Sequence, residues 1–116
     1  MRPFALVVDP DADVRERVAK CLATAFLVAE AGTLREAVTF LGEPVHVLIT
    51  DARLPDGCGL SLVAAFKRRR ARGLAMVMSD RGGVDGRARL CGADVIVEKP
   101  FSVLIPTRRM LEAAAA

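Results

Sequence analysis

Five short apolar runs, at about 4–8, 26–30, 45–50, 74–78 and 94–98, punctuate this chain, and between them apolar residues return every three or four positions. The runs are partly β-branched and carry no polar alternation, the pattern of parallel strands covered on both faces. The stretches between them read as helices. The first, about 12–24, spaces Val14, Val18, Cys21, Leu22 and Ala25 on one side, with Asp11 or Asp13 to cap its start. The second, about 33–41, opens on Thr33 and Glu36 at capping-box spacing and is predicted to bury Leu34, Val38 and Leu41. The third, about 59–72, turns Leu60, Val63, Ala64 and Phe66 inward. The fourth, about 83–91, is weakened by Gly82, Gly83 and Gly86, each costing about 1 kcal/mol relative to Ala. The fifth, about 102–114, runs into an Ala-rich end.

Alternating strands and helices imply right-handed crossovers and one parallel sheet. The expected fold is α/β: a flavodoxin-like, doubly wound, five-stranded parallel sheet flanked by five helices in a three-layer sandwich, one domain over 1–116. With 116 residues, 53% hydrophobic and only 4% aromatic, the chain is long enough to bury a core and that core is aliphatic. No run approaches the roughly 18 apolar residues of a membrane span. Met1-Arg2-Pro3-Phe4 leads straight into a strand-like run, so neither an anchor nor a signal peptide is indicated and a cytoplasmic location is expected. Cys21, Cys58 and Cys91 are odd in number, lack metal-ligand spacing and read as reduced thiols.

The net charge of +3 is local in origin. Five of the seventeen basic residues fall in Lys67-Arg68-Arg69-Arg70-Ala71-Arg72, just before Gly73. A helix would end there, and its dipole favours cations by roughly 0.3–1 kcal/mol each. With no Trp or Tyr, bases would find little to stack on, so the run reads as a solvated helix end.

Three strand ends bring charge to one edge of the sheet. Asp9 closes Phe4-Ala5-Leu6-Val7-Val8, Asp51 closes Val45-His46-Val47-Leu48-Ile49-Thr50, and Lys99 closes Val95-Ile96-Val97-Glu98. The carboxyl edge of such a sheet is where α/β folds build their sites. Taken singly, each residue has an ordinary explanation: an aspartate caps a helix or a loop, a lysine is a surface charge, and Ser79 is a turn residue. His46, at a strand start with no nucleophile or ligand beside it, reads as structural.

The residues in order carry a family resemblance. Leu6-Val7-Val8-Asp9, Leu48-Ile49-Thr50-Asp51 with Leu54-Pro55 and Gly59 behind it, Met76-Val77-Met78-Ser79, Gly92-Ala93-Asp94 and Glu98-Lys99-Pro100-Phe101 together resemble the receiver domain of two-component response regulators, over essentially the whole chain. The resemblance implies that Asp51 accepts a phosphoryl group from a sensor histidine kinase, a phosphotransfer protein or a small acyl phosphate. It implies that Lys99 and Ser79 bind the phosphoryl oxygens, and that Asp9, Asp51 and the backbone carbonyl of Arg53 hold Mg²⁺. It also implies a Lys99-Pro100 peptide bond that is often cis in the family. Such a domain is a phosphoacceptor, at most a slow self-dephosphorylating one, and is commonly a piece of a longer regulator. Its partners are an output domain, through which alone nucleic acid would be met, or a second copy, through the fourth helix, fifth strand and fifth helix. Arg87, Arg89, Arg108 and Arg109 lie on that surface.

The departures are equally specific. A second acid usually follows the first, and here Pro10 offers neither carboxylate nor N–H. Mg²⁺ binding should weaken accordingly, with Asp11 compensating only if the loop bends. Arg53 and Arg81 are placed to overhang the pocket, where a guanidinium could pair with Asp9 and Asp51 and partly replace the metal's charge. The switch position carries Ile96 in place of an aromatic, and Cys58 stands where an acid is common. Pro10 and Ile96 favour a pseudo-receiver, a phosphorylation-independent interaction module, while the retained Asp9, Asp51, Ser79 and Lys99 favour a working receiver. A third reading takes Asp9-Pro10-Asp11 as the first motif of a small haloacid-dehalogenase-like phosphatase with Asp9 as nucleophile; it lacks a cap and an acidic pair after the fourth strand.

Overall fold

Alternate residues of each central run face opposite sides of the sheet, and both sides are covered. Leu6, Val8, Leu48, Ala75 and Val77 point to one face, while Ala5, Val7, Val47, Ile49, Met76 and Met78 point to the other. The computed structural model describes residues 2–80 and 83–99. Its strands are β1 (Phe4–Val8), β2 (Leu27–Ala31), β3 (Val45–Asp51), β4 (Leu74–Ser79) and β5 (Val95–Glu98). They form one parallel sheet in the order β2-β1-β3-β4-β5, which bears out the doubly wound fold. A two-residue antiparallel ladder, Arg53–Leu54 against Gly57–Cys58, follows β3 and lies outside the sheet.

The helices are α1 (Ala12–Leu22), α2 (Leu34–Thr39), α3 (Gly59–Arg69) and α4 (Asp85–Leu90). Asp11 caps α1 by accepting the N–H of Asp13 at 2.9 Å. Thr33 caps α2 by accepting the N–H of Glu36 at 3.1 Å. Val18 and Leu22 of α1 join Phe26 over one face of the sheet. Ala37, Leu60, Leu62, Val63, Phe66 and Ala88, from α2, α3 and α4, cover the other. Among the described residues no helix is long and apolar enough to cross a membrane. The expected fifth helix, with Arg108 and Arg109, lies outside the described residues, as do Arg81 and Pro100 and with them the expected cis peptide.

Two expectations need correction. Val38 is half exposed, and Ala37 is buried in its place. α2 lasts only six residues before tightening into a 3₁₀ turn at Phe40–Gly42, which swings Leu41 inward. β2 is the sheet's edge: Ala29 and Val28 pack toward opposite faces, but Leu27 and Glu30 are exposed, so it is covered less fully than the central strands.

His46 is structural, as expected. Between β1 and β3 the register shifts, Phe4 pairing with Val45 and Ala5 with Val47. His46 is the extra residue, and its Nδ1 accepts the Phe4 N–H at 3.0 Å, satisfying a donor that the irregularity takes from the ladder. The basic run also has a local use. Lys67 donates to the Gly73 carbonyl at 2.6 Å and to the Asp94 carboxylate at 2.8 Å, and Asp94 in turn accepts the Ala75 N–H at 2.9 Å.

Candidate functional site

Register brings the charged strand ends level. Val8 pairs with Thr50, Asp51 with Met78, and Ser79 with Glu98. The ladder runs slightly further, with Asp9 N–H to Ala31 O at 3.1 Å, Ala52 N–H to Met78 O at 3.0 Å and Lys99 N–H to Ser79 O at 2.7 Å. Asp9, Asp51 and Ser79 are all buried in this edge. The Lys99 ammonium lies between the two acids, 2.5 Å from Asp9 Oδ2 and 2.8 Å from Asp51 Oδ2.

The remaining carboxylate oxygens are held by backbone. Asp9 Oδ1 accepts the Asp11 N–H at 2.8 Å, the first donor available after Pro10, which has none. Asp51 Oδ1 accepts the Arg53 N–H at 2.9 Å. Arg15 Nη1 donates to the Asp9 carbonyl at 2.7 Å and so fixes the same turn from α1.

Two carboxylates share one ammonium, and the titration behaviour follows. Burial pushes the Asp9 carboxyl above its ordinary 3.8, against the lowering pull of Lys99 and the Asp11 N–H, with Asp51 adding to the rise. Burial acts in the opposite direction on Lys99, but its hydrogen bonds and charge attraction to Asp51 and Asp9 outweigh it and lift the amine above 10.5. Both shifts favour bound protons, as expected of a pocket short of positive charge.

That shortage, and a donor set made only of hard oxygens, fit a divalent cation such as Mg²⁺, which binds through one or two carboxylates and keeps several waters. The expected third acid is absent. Pro10 is exposed, and Asp11 is committed to capping α1, so neither adds a carboxylate. Among the described residues no group of three or more His, Cys, Asp or Glu forms a metal cluster.

The expected role of the Arg53 guanidinium needs correction. Arg53 is exposed and its side chain makes no ion pair with either acid; Lys99 is what neutralises them, while Arg53 contributes its backbone N–H. Ile96 is half-buried on β5 and packs against the core cluster formed with α2, α3 and α4. The phosphatase reading is disfavoured, because the Asp9 side chain is fully buried whereas that of Asp51 keeps some exposure. Two contributors were not foreseen. Arg15 acts on a backbone carbonyl, which no motif records. Asp56, in the turn after Leu54-Pro55, reaches back to the start of α2.

The chain matches the response regulator receiver domain family over residues 5–107, and it belongs to that family. It is a receiver domain of two-component response regulators, a class of signalling phosphoacceptors. The transcriptional regulatory protein AruR of Pseudomonas aeruginosa is 33% identical over 110 residues, covering 88% of this chain and 45% of AruR. The response regulator protein PilR of the same organism is 34% identical over 106 residues, covering 88% of this chain and 24% of PilR. The chain thus spans about half of one curated relative and a quarter of the other. Among solved structures, the BeF3-activated receiver domain of DrrB, a Thermotoga maritima OmpR/PhoB homologue, is 27% identical with a TM-score of 0.84, covering 97% of this chain and 99% of that one.

Proposed function

We propose that Asp51 is the phosphoacceptor and that the domain passes a kinase signal to an output domain. The observation that carries this reading is the Lys99 ammonium, held 2.8 Å from Asp51 Oδ2 at a strand end where the acceptor's side chain still keeps some exposure. An Asp51 carboxylate oxygen attacks phosphorus, and the bond from phosphorus to the donor's nitrogen or oxygen breaks, its electron pair leaving with the donor. Lys99 then has a phosphoryl oxygen to hold in place of a carboxylate, and Ser79, at the adjoining strand end, offers a hydroxyl to the same group. Mg²⁺, held by the Asp9 and Asp51 carboxylates and the Arg53 carbonyl, supplies charge neutralisation when bound. With Pro10 in place of an acid, its affinity is set by two carboxylates that Lys99 already shares.

The donor is a sensor histidine kinase, a phosphotransfer protein or a small acyl phosphate, and the acyl phosphate on Asp51 is lost by slow self-hydrolysis. The setting is the cytoplasm. The name of AruR as a transcriptional regulatory protein supports an output domain outside this chain, through which nucleic acid would be met. A homodimer through α4, β5 and the segment expected as a fifth helix is supported by the exposure of Leu90, Arg87 and Arg89 on α4 and by a solved dimer of the BeF3-activated NtrC4 receiver, 27% identical with a TM-score of 0.82.

Intact-protein mass after incubation with acetyl phosphate, with and without Mg²⁺, tests the reading. One phosphoryl adduct that needs Mg²⁺ and is absent in Asp51→Asn is the expected result. Absence of an adduct under every condition would favour the pseudo-receiver, the reading that Pro10 and Ile96 support.

A further inference from the structure

Asp56 sits at the tip of the turn between Leu54 and Gly57, in the loop that leaves Asp51, yet its side chain bonds to a different part of the fold. Oδ1 accepts the N–H of Leu34 at 2.7 Å and Oδ2 accepts the N–H of Arg35 at 2.9 Å. One exposed carboxylate thus satisfies two of the orphan donors at the start of α2, which lie 22 and 21 residues away in sequence. These two N–H bonds hold the Asp56 carboxyl below the ordinary 3.8, so it is ionised and accepting at neutral pH.

The neighbouring residue closes the same contact. A Cβ at Gly57 would fall 2.6 Å from Leu34 Cδ2, so the loop and the first residue of α2 are in close contact here, and a side chain at 57 would make the Leu34 side chain move. At its base the loop is shut by the pairing of Arg53 with Cys58 and Leu54 with Gly57, and by the Gly59 N–H on the Ala52 carbonyl at 3.0 Å. Arg53, within that ladder, donates its N–H to Asp51 Oδ1 at 2.9 Å. The chain of contacts from α2 to the acceptor is short: Leu34 and Arg35, Asp56, the ladder, Arg53, Asp51.

We propose that Asp56 is a positioning residue for the phosphoacceptor, tying the Arg53–Cys58 loop to α2 and thereby fixing where the Arg53 backbone stands beside the Asp51 carboxylate. The site and α2 are then coupled, and a partner that grips the start of α2 changes reactivity at Asp51. The consequence for reactivity rests on the reading of Asp51 as acceptor. The link from Asp56 to the Arg53 backbone does not.

Thr33 provides the control, because it caps the same helix locally, through Glu36, without touching the loop. In the full chain, the amide of Arg53 would be followed by hydrogen exchange, and Asp51 by the rate of labelling with acetyl phosphate. Asp56→Ala should speed Arg53 exchange by about three- to tenfold and slow labelling by a similar factor, the effect of losing charge-assisted bonds at a solvated position. Asp56→Asn, which keeps one acceptor oxygen, should fall between. Thr33→Ala should leave both readouts unchanged while lowering stability. Unaltered Arg53 exchange in Asp56→Ala, or equal effects in Asp56→Ala and Thr33→Ala, would overturn the proposal. If the unsubstituted chain takes no label but Asp56→Ala still loosens Arg53, the positioning role stands and the assignment of the acceptor is what fails.

Discussion

The carbonyl of Asp51 is as tightly constrained as its carboxylate. Thr50 Oγ1 donates to it at 3.0 Å, and a Cβ at Gly59 would stand 1.9 Å from it. α3 therefore begins on glycine because the backbone of β3 occupies the space a side chain would need. Gly59→Ala should cost about 3 kcal/mol, the upper range for overpacking, and should slow phosphoryl acceptance by displacing Asp51; urea unfolding and acetyl phosphate labelling would measure the two effects. Asp9, Asp51 and Lys99 were legible from sequence because parallel strands in even register align their ends, so a charge after each apolar run was enough to bring them together. The direction of the Arg53 side chain was not legible, since a two-residue ladder gives no periodicity to read. Nor were the partners of Asp56, which lie on another loop.

At the scale of elements, α4 is the weakest helix described. It spans six residues, its N-cap Val84 makes no side-chain cap bond, and Gly86 lies within it. A Cβ at Gly86 would meet nothing within 4 Å, so Gly86→Ala should add about 0.5–1 kcal/mol, read as a higher denaturation midpoint with an unchanged slope. Gly92 is a different case: it ends the turn after α4 at φ +104°, against Lys67 Cγ, and there glycine is required. The five strands were legible to within a residue or so because their apolar runs end in polar or charged positions. α2 was legible in its cap and only in part in its inward face. The capping box announced Thr33, and Leu41 is buried as its spacing implies, but Val38, still inside the α-helical stretch, is half exposed while Ala37 takes the inward place, and six helical residues give too little periodicity to separate the two.

The whole molecule registers the charge in its site through pH. Asp9 and Lys99 both hold protons more tightly folded than unfolded, so both contribute stability that falls as pH rises. The Asp9 share is complete below 3.8 and is lost as pH climbs through the raised folded value; the Lys99 share is complete below 10.5 and is lost above it. Asp9→Asn should therefore gain stability relative to the unsubstituted chain as pH rises above 3.8, read from the thermal midpoints of the two chains across pH. Its Mg²⁺ affinity, measured by calorimetry on the same sample, should be lower, so the acid that serves the site is a burden on the fold. The order of the strands adds a constraint in time. Lys99 follows Asp9 by 90 residues and Asp51 by 48. A growing polypeptide on the ribosome completes β1 and β3, and can seat two negative charges side by side, well before the amine that compensates them is made. The last strand of the sheet then arrives as a counter-charge as well as an edge, and the nascent domain has reason to stay open until it does.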